Sequence, residues 1–216
     1  MSELVIQAKY VKKPVYDFFK RFVDILFSLT ALIVLLPALL VVALIIKCSD
    51  GGSPFYKSPR IGKGGKQIYV YKFRSMKLNA DKLEDTLSQE ELAQYRKEYK
   101  LDNDARITGI GRILRKTSID ELPQLINVLI GNMSLVGPRP VLQEETELYG
   151  EYRDMLLSVK PGITGLWQAS GRNKITYADG GRQRIELKYV SERSFWLDVK
   201  IIFMTIGAVL KMDGAQ

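Results

Sequence analysis

The feature that most limits how this chain can fold is an almost continuously apolar run from Phe22 to Ile46. At about 1.5 Å per residue, a straight helix of this length would cross the roughly 30 Å hydrocarbon core of a bilayer. A single membrane-spanning helix is therefore the first interpretation. Pro37 lies inside the run, and a proline removes a backbone donor and crowds the carbonyl four residues earlier, so we expect the helix to bend there.

The charges beside the run favour a second interpretation, in which the helix enters a membrane, breaks at Pro37 and leaves by the same face. Basic residues prefer the cytoplasmic side of a membrane. They are found on both flanks: Lys9, Lys12, Lys13, Lys20 and Arg21 before the run, and Lys47, Lys57, Arg60, Lys63 and Lys66 after it. A straight span would leave one basic flank outside, so we predict a re-entrant helix over residues 15–47. The run is too long for the apolar part of a typical signal peptide.

The composition narrows the chemistry of the remainder. The formal net charge of +8 suits a phosphate-rich partner such as a nucleic acid, an anionic lipid or a phosphorylated small molecule. The chain has no histidine, which excludes histidine-dependent hydrolases and histidine-ligated metals. The single Cys48 excludes an internal disulfide, and its place at the end of the apolar run predicts a buried, inert thiol.

The remaining sequence predicts one domain over residues 1–216, because this length is short for two independent cores. Glycines, prolines and then alternating apolar residues in 51–76 predict a β-hairpin. The glycine cluster resembles a phosphate loop only superficially, since Gln67 stands where such a loop needs Ser or Thr.

Two further segments predict helices. Residues 80–100 predict a solvated surface helix with a modest apolar face of Leu83, Leu87 and Leu92. The stretch 195–210 fits an interfacial helix with Trp196 at headgroup depth, and a buried core helix fits it equally well.

The segment that can carry chemistry contains two adjacent carboxylates among several cations, in the run Arg115-Lys116-Thr117-Ser118-Ile119-Asp120-Glu121-Leu122-Pro123-Gln124-Leu125. One interpretation is structural, because Ser118 and Glu121 have the spacing of a helix capping box. That box would place Pro123 in the second turn, at the loss of a backbone hydrogen bond. A helix cap at Asp120 would place it in the first turn without loss.

The other interpretation is catalytic. At the start of a helix the backbone donors and the helix dipole favour a phosphate, and Arg115 and Arg139 bring further positive charge. A carboxylate ionised at neutral pH attacks phosphorus without a base, and two carboxylates suit a metal that spans diphosphate oxygens. The residues alone leave the capping and catalytic interpretations open.

Four motifs carry a resemblance to a known family. They are Lys72-Phe73-Arg74-Ser75-Met76, Thr117-Ser118-Ile119-Asp120-Glu121-Leu122-Pro123-Gln124, Met133-Ser134-Leu135-Val136-Gly137-Pro138-Arg139-Pro140 and Lys160-Pro161-Gly162-Ile163-Thr164-Gly165-Leu166-Trp167-Gln168. Together they resemble the bacterial sugar transferase family, the monotopic phosphoglycosyl transferases, over nearly the whole chain.

The resemblance implies a two-step reaction. Asp120 attacks the sugar-bearing phosphorus of a UDP-sugar, forms a phosphosugar-aspartyl intermediate and releases UMP, and a polyprenyl (undecaprenyl) phosphate then attacks that intermediate. It also implies Mg2+ at Asp120 and Glu121, with Glu121 helping to place the metal or to polarise the acceptor. Arg115 and Arg139 contact phosphate, and Pro138 and Pro140 hold Arg139 on a stiff backbone.

Other residues are assigned to substrate binding by the same resemblance: Lys72, Arg74, Gln168 and Arg172. Arg182 and Arg184, further along the chain, could shape the donor site or could equally be solvated or lipid-facing charges.

The implied fold is α/β and mainly helical. It is a single monotopic membrane domain with a re-entrant N-terminal helix, interfacial amphipathic helices and a small hairpin. Residues 51–216 then form the catalytic part, on the cytoplasmic face of the inner membrane, and a homodimer is left open. Relatives often carry Ser before the helix-breaking proline, whereas Leu36 stands before Pro37 here.

Two rival functions remain for comparison. A nucleic-acid-binding protein fits the basic charge and the eleven tyrosines, but gives the apolar run no purpose, so we expect no nucleic-acid partner. A non-catalytic membrane scaffold would use Asp120 and Glu121 only to cap a helix, and Asp120→Asn would then leave function intact.

Overall fold

The computed structural model describes residues 12–99, 101, 104–170 and 175–210. This part of the chain is mainly helical, as predicted. Its helices are α1 (Pro14–Asp50), α2 (Leu83–Thr86), α3 (Gln89–Glu98), α4 (Gly109–Lys116), α5 (Gln124–Ile130), α6 (Gln143–Glu147), α7 (Arg153–Leu156), α8 (Leu166–Ala169), α9 (Gly181–Glu192) and α10 (Phe195–Leu210). Its strands are β1 (Phe55–Ile61), β2 (Gln67–Phe73), β3 (Ser134–Val136) and β4 (Gly162–Thr164).

Helix α1 is one uninterrupted helix of 37 residues. It begins with Pro14, which a first helical turn tolerates, and it ends before Gly51, whose φ of 74° is a conformation that favours glycine. Pro37 lies inside the helix, so the predicted break into two helical segments is not observed. The physical reason is that a proline removes one hydrogen bond of the series, while the bonds of the neighbouring residues continue the helix.

Most of the apolar surface of α1 is exposed. Only 11% of its most apolar 18-residue window is buried, and within the described ranges it is the one helix long and apolar enough to cross a membrane. A core helix of a soluble protein would be mostly buried, so this exposed surface indicates association with a membrane. Cys48, near the end of α1, is also exposed, and the predicted burial of its thiol is therefore wrong.

The N-terminal part of α1 is attached to the folded part of the protein by polar contacts. The Lys20 ammonium lies 2.6 Å from the Asp198 carboxylate at the start of α10. The Arg21 guanidinium donates to the carbonyls of Val128 and Leu129 in α5. These carbonyls belong to the last turn of α5, where the helix leaves acceptors unpaired.

The C-terminal end of α1 is attached to the same folded part. Ile46 is buried with Phe73 of β2 and Leu114 of α4 in a small hydrophobic cluster. Asp50 forms a two-pronged salt bridge with Arg74, directly after β2, in which both nitrogen–oxygen distances are 2.5 Å. Both ends of α1 therefore contact the same folded part of the protein.

The predicted hairpin is confirmed. Strands β1 and β2 pair antiparallel, and the connecting turn contains Gly64 and Gly65 with φ of 71° and 75°, which glycine adopts without steric cost. The hairpin is held against α5 by Asn127, whose side chain accepts from the Tyr71 amide at 2.9 Å and donates to the Tyr69 carbonyl at 2.7 Å.

A second, parallel pair joins two of the sequence motifs. Strand β3 precedes the Gly-Pro-Arg-Pro motif, strand β4 lies in the Pro-Gly-Ile-Thr-Gly motif, and they pair from Ser134 to Gly162 and from Val136 to Thr164. The backbones approach so closely that a Cβ on Gly162 would overlap the backbone of Gly137. The largest hydrophobic cluster lies beside this pair, and half of its buried residues belong to α7, α9 and α10.

The predicted helix over 80–100 is two helices. Ser88 and Glu91 form a capping box that starts α3, and this cap ends the preceding helical turn of α2. Leu83, Leu87 and Leu92 do share one hydrophobic cluster, as predicted.

The C-terminal helix α10 combines the two predicted environments. Asp198 and Ile201 are buried against the protein, whereas Phe203 and Trp196 are exposed, Trp196 to 78%. The helix therefore presents one face to the core and one apolar face outward.

Candidate active site

The carboxylate pair lies in a single 3-10 turn, Ile119–Glu121, between α4 and α5. Ser118 precedes it with φ of 57°, a left-handed conformation that is not that of a helix cap. Helix α5 begins only at Gln124, after Pro123. Both predicted caps, at Ser118 and at Asp120, are therefore wrong, because the chain makes a separate turn before the proline. The acidic pair instead stands one turn ahead of α5.

Asp120 is buried, with 6% of its surface exposed. The pKa of its carboxyl is raised to about 6, with burial as the largest cause. The positive charge of Lys72 opposes this shift, Glu121 adds to it and Arg115 opposes it. Because the pKa remains below 7, the carboxylate is mostly ionised at neutral pH.

Two cations lie beside the pair. The Lys72 ammonium on β2 is 2.7 Å from Glu121 Oε1. The Arg115 guanidinium donates to Ser75 Oγ at 3.0 Å, and its pKa is lowered by burial while the charge of Asp120 acts in the opposite direction. The charges of both cations lower the pKa of Asp120. The two carboxylates therefore lie in a positively charged environment.

A cleft opens from Glu121 and brings together half of the predicted site residues. Its lining includes five predicted residues, Lys72, Glu121, Arg139, Pro140 and Gln168. The lining also includes Gln124 and Ile163, which lie in the motifs but had no assigned role, and Ser58, Arg60 and Val70, which lie outside them. Ser58 and Arg60 were missed because they belong to β1, and only the register of β1 on β2 brings them beside Lys72.

The Gly-Pro-Arg-Pro motif is fixed by its own backbone. The Pro138 carbonyl accepts from the Gly162 amide at 2.8 Å, and the Arg139 amide donates to Glu186 of α9 at 3.2 Å. The Arg139 guanidinium lies 5.7 Å from the ring centre of Trp167. These contacts orient the Arg139 side chain toward the cleft. Burial raises the pKa of Glu186 to about 7, against the opposing charges of Arg182 and Arg139.

Arg182 contacts Trp167, the same ring that Arg139 approaches. Its guanidinium lies 4.3 Å from the Trp167 ring and 4.0 Å from the Tyr177 ring, and 3.3 Å from the Glu145 carboxylate. Arg182 is buried, so it is neither a solvated nor a lipid-facing charge, whereas Arg184 is exposed.

Two predicted substrate contacts have a different outcome. Arg74 is bound to the Asp50 carboxylate and to the Ser53 carbonyl, so the structure places it in the attachment of α1. Arg172 lies outside the described residues.

The carboxylate pair offers the kind of ligand that Mg2+ takes. This ion takes one or two carboxylates and completes its shell with substrate phosphate and water. Across the described ranges no group of three or more acidic, Cys or His side chains that could hold a metal ion is found. Asp120 and Glu121 are the two adjacent carboxylates of the site.

The fold and the site together define a mainly helical protein with an exposed apolar helix and a buried carboxylate pair in a cationic cleft. The model of one family matches residues 15–212, and the chain belongs to that family, the bacterial sugar transferases.

Several relatives extend this assignment. The chain is 46% identical over 201 residues to a UDP-galactose-lipid carrier transferase of Erwinia amylovora, covering 92% of this chain and 42% of the relative. It is 43% identical over 206 residues to the exopolysaccharide production protein ExoY of Sinorhizobium fredii, covering 94% and 90%. It is 38% identical over 208 residues to the UDP-glucose:undecaprenyl-phosphate glucose-1-phosphate transferase of Escherichia coli, covering 89% and 42%. The chain therefore spans less than half the length of several relatives that it matches.

Proposed function

We propose that this protein transfers a sugar-1-phosphate from a UDP-sugar to a polyprenyl phosphate and releases UMP. The observation that carries the proposal is the buried, ionisable Asp120 beside Lys72 and Arg115, next to a cleft with further cations. The names of the relatives from Erwinia amylovora and Escherichia coli, a lipid carrier transferase and an undecaprenyl-phosphate transferase, support the same reaction class.

In the first step, an Asp120 carboxylate oxygen attacks the sugar-bearing phosphorus. A bond forms between this oxygen and phosphorus, the bond from phosphorus to the bridging oxygen breaks, and its electron pair leaves with UMP. Since the carboxylate is ionised at neutral pH, no proton has to be removed from the nucleophile. Lys72 and Arg115 stabilise the charge on the phosphoryl oxygens.

In the second step, a phosphate oxygen of the polyprenyl phosphate attacks the phosphorus of the phosphosugar-aspartyl intermediate. The aspartyl oxygen–phosphorus bond breaks and the electron pair returns to Asp120. The product is a polyprenyl diphosphate sugar, and the free carboxylate is regenerated.

We include Mg2+ in the proposal, with Asp120 and Glu121 as the residues that would hold it. When bound, the ion would supply positive charge to the diphosphate oxygens. Lys72 would keep Glu121 in place through their 2.7 Å contact.

We also propose that α1 enters the inner membrane and returns to the cytoplasmic face. Both ends of α1 contact one folded part, through Arg21 near one end and Asp50 at the other. A straight helix of 37 residues would be about 55 Å long. If it crossed the bilayer, the folded part would have to reach both sides. A bend near Pro37 that leaves the helix continuous would avoid this, and the apolar outer face of α10 would then lie at the headgroups.

The reaction is tested by measuring UMP release across a panel of UDP-sugars with polyprenyl phosphate present, for the wild-type chain and Asp120→Asn. We expect release with at least one donor and its loss in the variant. Mass spectrometry after incubation with donor alone should find a hexose phosphate added at Asp120. An undiminished rate in Asp120→Asn would support the non-catalytic scaffold instead.

A further inference from the structure

The cleft continues from the carboxylate pair along one face of the hairpin to Arg60. Directly paired residues of antiparallel strands lie on one face of the hairpin, and so does every second residue along each strand. Ser58 pairs with Val70, and Arg60 and Lys72 follow them on the same face. All four residues line the cleft. Arg60 pairs with Ile68, four residues from Lys72, which is about 13 Å along the strand. The cleft therefore has one cation at the carboxylate pair and another at its far end.

The far end of the cleft holds two positive charges, those of Arg60 and Arg139. Burial lowers the pKa of Arg60, and the charge of Arg139 lowers it further. Within the described residues neither arginine forms a salt bridge, and the buried Arg139 Nε has no hydrogen-bond partner. Arg60 Nη1 donates to the Pro59 carbonyl at 2.7 Å.

Two acids act on these charges. Glu145 acts on Arg60 in the opposite direction, but its carboxylate is bonded to Arg182. Glu186 lies near Arg139, but its hydrogen bond comes from the Arg139 backbone amide.

The neutral groups of the cleft do not supply the missing charge. Ser58 and Gln124 are buried in its wall, and the buried Gln168 Oε1 has no hydrogen-bond partner in the described part of the chain. Lys72, by contrast, is already paired with Glu121. Two arginines that line one cleft, repel each other and form no salt bridge in the described part of the chain are a site that an anion completes.

We propose that Arg60 and Arg139 together form a subsite for the phosphate of the displaced nucleoside monophosphate. This inference rests on the proposed function, because it takes the nucleotide to leave when Asp120 bonds to the sugar-bearing phosphorus. The electron pair of the broken bond stays on the former bridging oxygen, which becomes a terminal phosphate oxygen of UMP. The two guanidiniums stabilise the charge that develops there and hold the leaving group.

The test is to measure how tightly the full chain in detergent binds UMP, uridine and inorganic phosphate, for the wild type, Arg60→Ala and Arg60→Lys. We expect Arg60→Ala to weaken UMP binding by about 10- to 100-fold, the effect of losing charge-assisted hydrogen bonds. Uridine binding should not change. Arg60→Lys keeps the charge but not the planar two-pronged geometry, so an intermediate loss is expected.

The matched control is Lys57→Ala, which removes a cation from the same strand. Lys57 points to the opposite face, where its ammonium lies 5.7 Å from the ring centre of Tyr71. We expect this variant to bind UMP as the wild type does.

The outcomes separate this inference from the proposed function. Wild-type affinity for UMP in Arg60→Ala would overturn the subsite, and so would an equal loss of uridine and UMP binding. If Arg60→Ala does not fold, unchanged UMP affinity in Arg60→Lys overturns it as well. A wild-type chain that neither binds nor releases UMP would instead refute the proposed function.

Discussion

Asp120 shows how burial and neighbouring charges set the reactivity of a single residue. Its carboxyl is buried, and burial favours the neutral form because a charge is costly to desolvate. Lys72 and Arg115 offset that cost and hold the pKa at about 6. The result is a carboxylate that is ionised at neutral pH and only partly stabilised by its surroundings.

Lys72→Met should move the acid limb of the pH–rate profile upward. The variant removes the largest influence that lowers the Asp120 pKa, so a higher pH is needed to ionise the nucleophile. We expect the rate of UMP release at pH 7 to fall about 10- to 100-fold and to recover in part at pH 9. The measurement is the UMP-release rate from pH 5 to 9. An acid limb that stays at the wild-type position would contradict this role, and Lys57→Met is the control.

Asp120→Asn should stabilise the fold while abolishing turnover. The folded pKa of about 6 lies above the ordinary value of 3.8, so the neutral carboxyl favours the fold below about pH 4. That contribution is lost as the pH rises through 6. At pH 8 the variant should therefore be more stable by about 1–3 kcal/mol. Thermal unfolding at pH 8 and pH 5 checks this, because the gain should shrink at the lower pH; a loss of stability at pH 8 would contradict it.

The sequence predicted the acidic pair and the Gly-Pro-Arg-Pro arginine, because their motifs are local. It assigned Arg74 to substrate binding, although the structure uses that residue to hold Asp50. Nothing local distinguishes Arg74 from Lys72, two residues earlier on the chain. Their separate tasks depend on how α1 packs, which is a long-range property.

At the scale of elements, the parallel pair of β3 and β4 positions Arg139. The close backbone approach of Gly137 and Gly162 leaves no space for a side chain. The hydrogen bond that the Gly162 amide donates to the Pro138 carbonyl then fixes the loop just before Arg139. Three-residue strands gain little from pairing alone, so the closeness of the packing matters more than their length.

Gly162→Ala should lower both stability and UMP release, because its Cβ would overlap the backbone of Gly137. We expect a loss of about 1–3 kcal/mol of unfolding free energy, as for other overpacked sites. The matched control is Gly207→Ala in α10, whose Cβ would meet open space and should be neutral or slightly stabilising. Thermal unfolding and UMP release of both variants test this. Equal behaviour of the two would show that the close approach is unimportant.

The hairpin was predictable and the turn before α5 was not. Glycines followed by alternating apolar residues define a hairpin within about 20 residues. The boundary at Pro123 was ambiguous, since several positions before a proline can begin a helix. Here the acidic pair occupies its own 3-10 turn, a choice that the packing of Ile119 against α1 and α4 favours.

At the scale of the whole molecule, both ends of α1 are tied to one folded part. The membrane arrangement therefore has a direct test in the native Cys48, which is exposed near one end of the helix. The variant Lys12→Cys, in a Cys48→Ser background, reports on the other end of the helix. We expect a membrane-impermeant thiol reagent to label both sites only when the cytoplasmic face is accessible. Labelling from opposite sides would refute the re-entrant arrangement.

The attachment of α1 has a consequence for how the protein tolerates extraction. Arg21 grips the last turn of α5, and the acidic pair lies just before the first turn of that same short helix. At the other end, Asp50 forms a salt bridge with Arg74, which lies two residues after Lys72. Detergents that displace α1 from these contacts should therefore lower the rate of UMP release at temperatures below that at which the folded part unfolds.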